Sequence, residues 1–375
     1  MLSRRAPHRG IIGCSFQTRP ALVSAAVIFD RGSQTPSVTW LDALTDDAVL
    51  EMIERYGQAY AMRRSEDVAE RRQWPEVLAS ITRQLWDLVM GPLLSSVPAD
   101  RIVLIPSGIL ALLPLHAAWH DDTSAVTGRH YAIDDALITF APSAQALRHT
   151  FAGTESAEPT MLAFYDPDPG LPNTRREVHD AVSWFSHGRE LSRHEATLDT
   201  LCAELARYSV IHFSCHGSAD LTDPLHSGLA AASDGTLTLA RVLGQRLPHV
   251  RLAVLSACET ALVGGNVPDE VVGLPTGLVQ AGAQGVIGSL WPVGDAVTCA
   301  LMARFYELWR GRGAEPAEAL RQAQRWVRDS TLGAIESSYP EIEWPWHEMD
   351  LPRLDPAVLV HRSPTHWAAF QYVCS

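Results

Sequence analysis

Apolar positions along this chain fall into two rhythms, and the rhythms predict its elements. Ala21 to Phe29 (ALVSAAVIF) is a compact apolar run that predicts a strand, with Ser37 to Trp40 as its hairpin partner. Thr45 is placed to cap a helix from Asp46 to about Arg63, because Val49, Leu50, Ile53 and Tyr56 recur at helical spacing. The polar stretch SEDVAERRQ predicts a loop or a frayed helix. Pro75 to Met90 predicts a second helix, with Val77, Leu78, Ile81, Leu85 and Leu88 on one face. A buried strand is expected from Arg101 to Pro106, before the turn Ser107-Gly108, and strand-like runs follow at Ala132 to Phe140 and Thr160 to Phe164. Residues 1–20 show neither rhythm and are expected to form a flexible tail.

After Thr160 the pattern becomes regular. Helices are predicted at about Arg175 to Phe185, from the cap Thr197 to Ala206, at Gly273 to Ala283, at Ala296 to Trp309 and at Pro316 to Asp329. Between them lie short apolar strands at Val210 to Phe213, Leu252 to Leu255 and Gly285 to Ser289. Strands alternating with helices of 10–15 residues indicate βαβ units, hence an α/β fold with a mainly parallel sheet. Thr331 to Pro364 is rich in Pro, Trp and acid and reads as an irregular insertion, with Trp367 to Val373 as a last strand. No tandem repeat is visible.

Composition narrows the chemistry. With 46% hydrophobic and 19% charged residues the chain is an ordinary globular one, and 375 residues suggest two domains or one large α/β body. There are 43 acidic residues against 30 basic ones, a formal net charge of -13, and every basic residue is arginine. Without lysine there is no Schiff-base enzyme, no P-loop and no protein kinase. The acidic balance argues against direct nucleic-acid binding. No apolar run reaches the roughly 18 residues of a membrane span, and no cleavable leader stands out, so no membrane partner and a cytoplasmic location are expected. Cys14, Cys202, Cys215, Cys258, Cys299 and Cys374 form no CxxC pair, so free thiols are expected rather than a zinc or disulfide framework.

Two segments carry candidate chemistry. Ser209-Val-Ile-His-Phe-Ser-Cys-His216-Gly217 and Leu252-Ala-Val-Leu-Ser-Ala-Cys258-Glu259-Thr260 are each an apolar strand that ends in a reactive side chain. In a parallel sheet both groups leave the carboxyl ends of their strands, where open α/β sheets place ligands. Neighbouring strands lie about 4.8 Å apart, so such residues can face each other. A thiol needs a base or a positive partner to become a thiolate, and His216 can supply it and later protonate a leaving amine. Gly217 opens an approach to its own backbone N–H, which with that of Cys258 would form an oxyanion hole. The blander readings are inert packing for Cys258 and a structural His-Gly turn. His212 with Cys215 and His216 raises the thought of metal, but the two histidines lack a shared face and no second ligand cluster exists, so no metal and no cofactor are expected. Cys215 competes as nucleophile but alternates away from the crevice. No G-x-S-x-G and no H-E-x-x-H occur.

The order strand, His216-Gly217, about forty residues, strand, Ala257-Cys-Glu-Thr260 resembles the caspase-like cysteine peptidases, and within them the CHAT domain. Ile102 to His116, Phe140-Ala-Pro-Ser-Ala144, Asp166-Pro with Leu171-Pro and Glu177, Asp269-Glu-Val-Val-Gly-Leu-Pro275, Ala281-Gly-Ala283, Ser289-Leu-Trp-Pro-Val293 and His366-Trp-Ala-Ala-Phe370 follow in family order, covering about residues 100–375. The resemblance implies a bilobed caspase-like α/β/α sandwich: a degenerate half over 21–155 and an active half over 156–375. It implies His216 as base and acid and Cys258 as nucleophile. Separase has a similar Leu-Trp-x-Val-x-Asp run whose last acid helps recognise a basic P1 residue, and Asp295 is the matching position here. The alternative is that Asp295 only caps a helix starting at Ala296. Glu259 is a second candidate groove residue.

The expectation is therefore a cysteine endopeptidase that cuts a protein partner after a basic residue, in a regulated bacterial pathway such as defence or programmed cell death. The family often carries helical repeats, and none is seen here, which points to a separate activator or sensor protein, or to a chain that is a partial product. The alternative is a non-catalytic caspase-like adaptor. If the pocket takes basic residues, self-cleavage falls only at arginines, and Arg4-Arg5, Arg63-Arg64, Arg71-Arg72 and Arg175-Arg176 are the candidates.

Overall fold

The computed structural model describes residues 11–15, 24–29, 35–63, 65–97, 99–148, 158–166, 168, 170–218, 220, 223–232, 235–257, 273–345 and 354–374. The chain divides into two units, Met1–Ala144 and Gln145–Ser375.

In the first unit, β1 (Ile11–Ser15) pairs antiparallel with β2 (Ser24–Phe29), which pairs antiparallel with β3 (Ser37–Leu41). On its other side β1 pairs parallel with β4 (Arg101–Pro106). Strand β1 thus lies inside the stretch expected to be a tail; five residues with a central glycine give too short a pattern to stand out. Helix α1 (Asp46–Met62) starts where expected, with the Ala48 N–H donating to Thr45 Oγ1 at 3.2 Å. Helix α2 (Val68–Leu85) takes in most of the stretch expected as a loop or a frayed helix: Asp67 caps it through the Ala69 N–H at 2.7 Å, and it runs through Pro75. A proline inside a helix removes one hydrogen bond. Here the turns before it are held by Trp74, which packs edge-on against Tyr56 and Tyr60 at 5.1 and 5.4 Å. The helix continues through a wider turn at Trp86–Met90 into α3 (Gly91–Ser96). A ribbon of β5 (Trp119–Asp121) and β6 (Arg129–Tyr131) follows. The run Ala132 to Phe140, expected as one strand, is a single helical turn, α4 (Ala132–Asp135), and then β7 (Leu137–Phe140), parallel to β4. Asp134 breaks the strand by accepting the Tyr131 N–H at 3.0 Å.

The second unit is built as the alternation predicts. Its elements are β8 (Thr160–Tyr165), α5 (Thr174–Ser183), β9 (His187–Ser192), α6 (Leu198–Leu205) and β10 (Val210–Cys215). A small antiparallel sheet follows, β11 (Gly217–Ser218), β12 (Gly228–Ala230) and β13 (Thr236–Thr238). The chain goes on through α7 (Leu239–Leu243), β14 (Leu252–Ala257), α8 (Leu274–Ala281), β15 (Gly285–Ser289), α9 (Asp295–Tyr306), α10 (Pro316–Asp329), α11 (Leu332–Ser338) and β16 (Phe370–Cys374). Within this unit the strand order is β16-β15-β14-β10-β8-β9, all parallel except β16. Every residue of β10, β14 and β15 is buried, as parallel strands covered on both faces require. Helix α5 packs on β8, β9 and β10 and against α9, while α8 packs on β15 and β16.

Three details differ from the sequence reading. Strand β9 (HGRELS) is exposed over half its length, so it carries no apolar signal. Part of the expected irregular insertion is α11, whose cap Thr331 accepts the Ala334 N–H at 3.3 Å. Arg71-Arg72 and Arg175-Arg176 sit inside α2 and α5, away from the extended backbone a peptidase groove takes.

Two residues lock the second unit. Gly282 ends α8 with φ +117°, and a Cβ there would lie 3.1 Å from the Leu247 carbonyl carbon. Buried Gln324 on α10 donates through Nε2 to the Trp367 and Phe370 carbonyls at 3.0 and 2.9 Å, fastening the start of β16. Gly282→Ala is expected to lower unfolding free energy by about 1–3 kcal/mol through left-handed strain, seen as an earlier urea midpoint. Gln324→Leu, which takes one donor from each of two carbonyls, is expected to cost about 2 kcal/mol in the same titration.

Candidate active site

Parallel pairing sets the frame of the site. Strands β10 and β14 run in register from Val210 opposite Leu252 to Cys215 opposite Ala257. The next residue after β10 is His216, and the next after β14 is Cys258, which lies outside the described residues, as does Glu259. The register therefore brings the two strands to an end at the same height. The Ser289 hydroxyl of β15 donates to the Ala257 carbonyl at 2.5 Å and fixes the last residue of β14.

His216 is exposed, with 48% of its side chain open, in contrast to the fully buried strand that delivers it. Its Nε2 is 3.7 Å from Asp168 Oδ2. That is an electrostatic neighbour rather than a hydrogen bond. The other oxygen of Asp168 accepts the Gly170 N–H at 2.7 Å, which fixes the carboxylate. The His216 carbonyl accepts the Ala230 N–H at 2.9 Å, so Gly217 and Leu229 form a non-hydrogen-bonded pair of the β11–β12 ladder. That ladder consequently makes no use of the Gly217 N–H. Cys215 is buried and borders the cavity described next; burial sets it apart from His216.

Below the strand ends lies a cavity of about 370 Å³, counting its open mouth. Leu171 and Glu177 line it from the loop before α5 and from α5, Ser256 from β14, Trp291 and Asp295 from the β15–α9 segment, and Phe370 from β16. Trp291 is held by its Nε1–H, which donates to the Thr365 carbonyl at 2.9 Å. Asp295 is the first residue of α9. The cap position is Gly294, with no side-chain cap bond, so the cap expected at Asp295 lies one residue earlier. The Asp295 carboxylate instead accepts the backbone N–H and the Nδ2–H of Asn173 at 2.9 and 2.7 Å. Burial pushes its carboxyl up to about 6; the two Asn173 bonds pull the other way, and nearby Glu177 and Glu343 add to the rise.

Asn173 also fastens the insertion. Its Nδ2–H donates to the Glu343 carbonyl at 2.9 Å, and its Oδ1 accepts the Glu343 N–H at 2.8 Å. Nearby, Arg176 pairs with Asp180 at 2.6 Å and with Glu341.

His212, considered for metal from the sequence, is completely buried, and both ring nitrogens are taken. Nε2 meets Glu177 Oε1 at 2.8 Å and Nδ1 meets the Tyr306 hydroxyl at 2.9 Å. Burial, and then Glu177, hold the Tyr306 phenol well above its ordinary range, so it keeps its proton. Sequence reasoning gave Asp168, Asn173 and Ser256 no role. Asp168 and Asn173 sit in the turn-rich YDPDPGLPNT loop, which reads as connector, and Ser256 sits in an apolar strand.

The geometry agrees with the comparisons to known proteins. The sequence matches the CHAT domain over residues 80–375. No curated protein matches it in sequence. Among solved structures it is similar to separase in the Saccharomyces cerevisiae separase–securin complex, with a TM-score of 0.62 and 9% identity, covering 97% of this chain and 30% of that one. The chain therefore spans under a third of that relative. It also aligns with the Arg specific cysteine proteinase gingipain R at a TM-score of 0.47 and 9% identity, over 88% of this chain and 74% of that one. The pro- and mature domain complex of Porphyromonas gingivalis RgpB aligns at 0.46 and 11%, over 88% and 77%. The separase likeness is one of fold, a mostly parallel sheet flanked by helices in a caspase-like α/β/α sandwich. Because the family match begins within α2 and takes in every element of the second unit, with the cavity just described, this chain belongs to the CHAT domain family.

Proposed function

We propose that this chain is a cysteine endopeptidase in which Cys258 attacks the scissile carbonyl and His216 takes and returns the proton. The observation that carries the reading is the exposed His216 at the end of β10, in register with the strand that runs into Cys258. With Nε2 turned toward Asp168, Nδ1 is the ring nitrogen that serves the thiol. The Gly217 and Cys258 amides hold the oxyanion; the ladder pattern at Gly217 supports this, since the pairing leaves its N–H unused. The cavity receives P1, and Asp295 gives it a preference for a basic side chain. Glu259 borders the groove that carries the rest of the substrate. The substrate is a protein partner, and a separate activator or sensor switches the enzyme on in a bacterial defence or cell-death pathway.

An arginine-terminated electrophilic peptide is expected to label Cys258 in the wild type, and not in Cys258→Ala, when read by mass spectrometry. His216→Ala is expected to slow labelling by roughly 100-fold or more, since it removes the base. Labelling that survives Cys258→Ala would refute the nucleophile, and a chain that never labels, with or without cell lysate, would fit an adaptor instead.

The pocket carries a pH signature. The Asp295 carboxyl, pushed up to about 6, is charged only above that pH. KM for an arginine-P1 peptide is therefore expected to fall as pH rises through about 6, and Asp295→Ala to abolish the basic preference in a peptide library. Stability should respond in the opposite sense. An unfolded aspartate releases its proton near pH ~3.9. Between that pH and about 6 the folded chain holds a proton that the unfolded chain has lost, so the Asp295 contribution to stability declines as pH rises across this window.

A further inference from the structure

Thirteen described residues border the cavity; two are acids, Glu177 and Asp295, and none is basic. The family resemblance implies a recognition role for Asp295, whereas Glu177 enters it only as part of a motif. Glu177 is the more enclosed of the two, with 2% of its side chain exposed. Its Oε1 is occupied by His212, which is in turn supplied by Tyr306. Both ring nitrogens of His212 and the Tyr306 hydroxyl are thereby occupied. The network thus fixes where the carboxylate of Glu177 points.

A second, independent observation lies on β14. Ser256 is 8% exposed and borders the same cavity, and its Oγ has no hydrogen-bond partner among the described residues. A buried hydroxyl without a partner costs roughly 1–3 kcal/mol unless a ligand or water completes it. Acceptors therefore stand on three walls: Glu177 on α5, Asp295 at the start of α9 and Ser256 on β14. A lysine ammonium is a compact point charge. A guanidinium is a planar fork whose five N–H groups point outward in several directions and can meet carboxylates and a hydroxyl together.

We propose that Glu177 is the second specificity residue of this cavity, and that Glu177, Asp295 and Ser256 together select the guanidinium of an arginine side chain over the ammonium of lysine. The proposal rests on reading the cavity as the P1 pocket and extends it to a named side chain and a second acid. Glu177 is placed by His212 and Tyr306, so those two act as positioning residues.

The test uses the full chain and two probes of similar size, benzamidine and benzylamine, by titration calorimetry at pH 7.5. Benzamidine is expected to bind the wild type at least about tenfold more tightly than benzylamine. Glu177→Gln keeps the side-chain length and can still accept from His212. It is expected to weaken benzamidine roughly 30-fold, as does Asp295→Asn, while Ser256→Ala gives a smaller loss. A near-ultraviolet circular dichroism spectrum matching the wild type in each variant separates loss of the pocket charge from general damage. Equal affinity of the wild type for both probes overturns the guanidinium selection. Weakening by Asp295→Asn with Glu177→Gln unchanged overturns the role of Glu177 and leaves the basic pocket standing. If neither probe binds the wild type, the basic-P1 reading itself fails. Should Glu177→Gln not fold, the amidine-to-amine ratio in the wild type and in Ser256→Ala decides; a ratio unchanged by Ser256→Ala counts against the three-wall clamp.

Discussion

The site depends on one piece of backbone geometry: β10 and β14 are neighbours, parallel, and aligned residue for residue. Parallel neighbours end at the same height only when no bulge or slip intervenes, and a slip of one position would turn every side chain to the opposite face. Here six consecutive partners run from Val210–Leu252 to Cys215–Ala257. The strands are buried on both faces, so their hydrophobic residues hold the register from end to end. Full burial up to Cys215 followed at once by an exposed His216 is the abrupt change that turns a structural strand into the carrier of a chemical group.

In the cavity beside those strand ends, polar bonds fix the two acids. Two acids in a partly enclosed space repel each other and lose hydration, and the rise of Asp295 to about 6 expresses both effects. Asn173 offsets part of that with two bonds to one carboxylate oxygen. The same amide grips both backbone groups of Glu343. One side chain thus joins a pocket acid to the segment after α11, and the position of that segment cannot change without disturbing Asp295.

Much of this was legible in the sequence, and what was missed has identifiable causes. The alternation of short apolar strands with helices gave the parallel α/β architecture, because covered strands such as LAVLSA are apolar throughout. The His216-Gly217 and Cys258 segments stood out for the same reason, each a reactive side chain after such a run. Strand β9 was invisible because an edge strand with residues such as His187, Arg189 and Glu190 has no apolar signal. Helix α2 was shortened because Pro75 reads as a first-turn residue, whereas the aromatic contacts of Trp74 extend the helix before it. His212 looked like a metal candidate because a sequence shows no partners; Glu177 and Tyr306 arrive from 35 and 94 positions away. Ser256 drew no notice because its meaning lies in a bond it does not make.

Strand β16 has a consequence for the order in which the molecule can be assembled. It is the antiparallel member of its unit, and Phe370 within it forms part of the cavity wall. Synthesis proceeds from the amino end, so β8, β10, β14 and β15 leave the ribosome before the residues that complete the wall. Until then the outer edge of β15 lacks this partner, and the two carbonyls that Gln324 will hold do not exist. Until β16 docks, the cavity lacks the wall that Phe370 supplies. The position of a single strand at the end of the unit thus sets the moment at which the cavity takes its final shape.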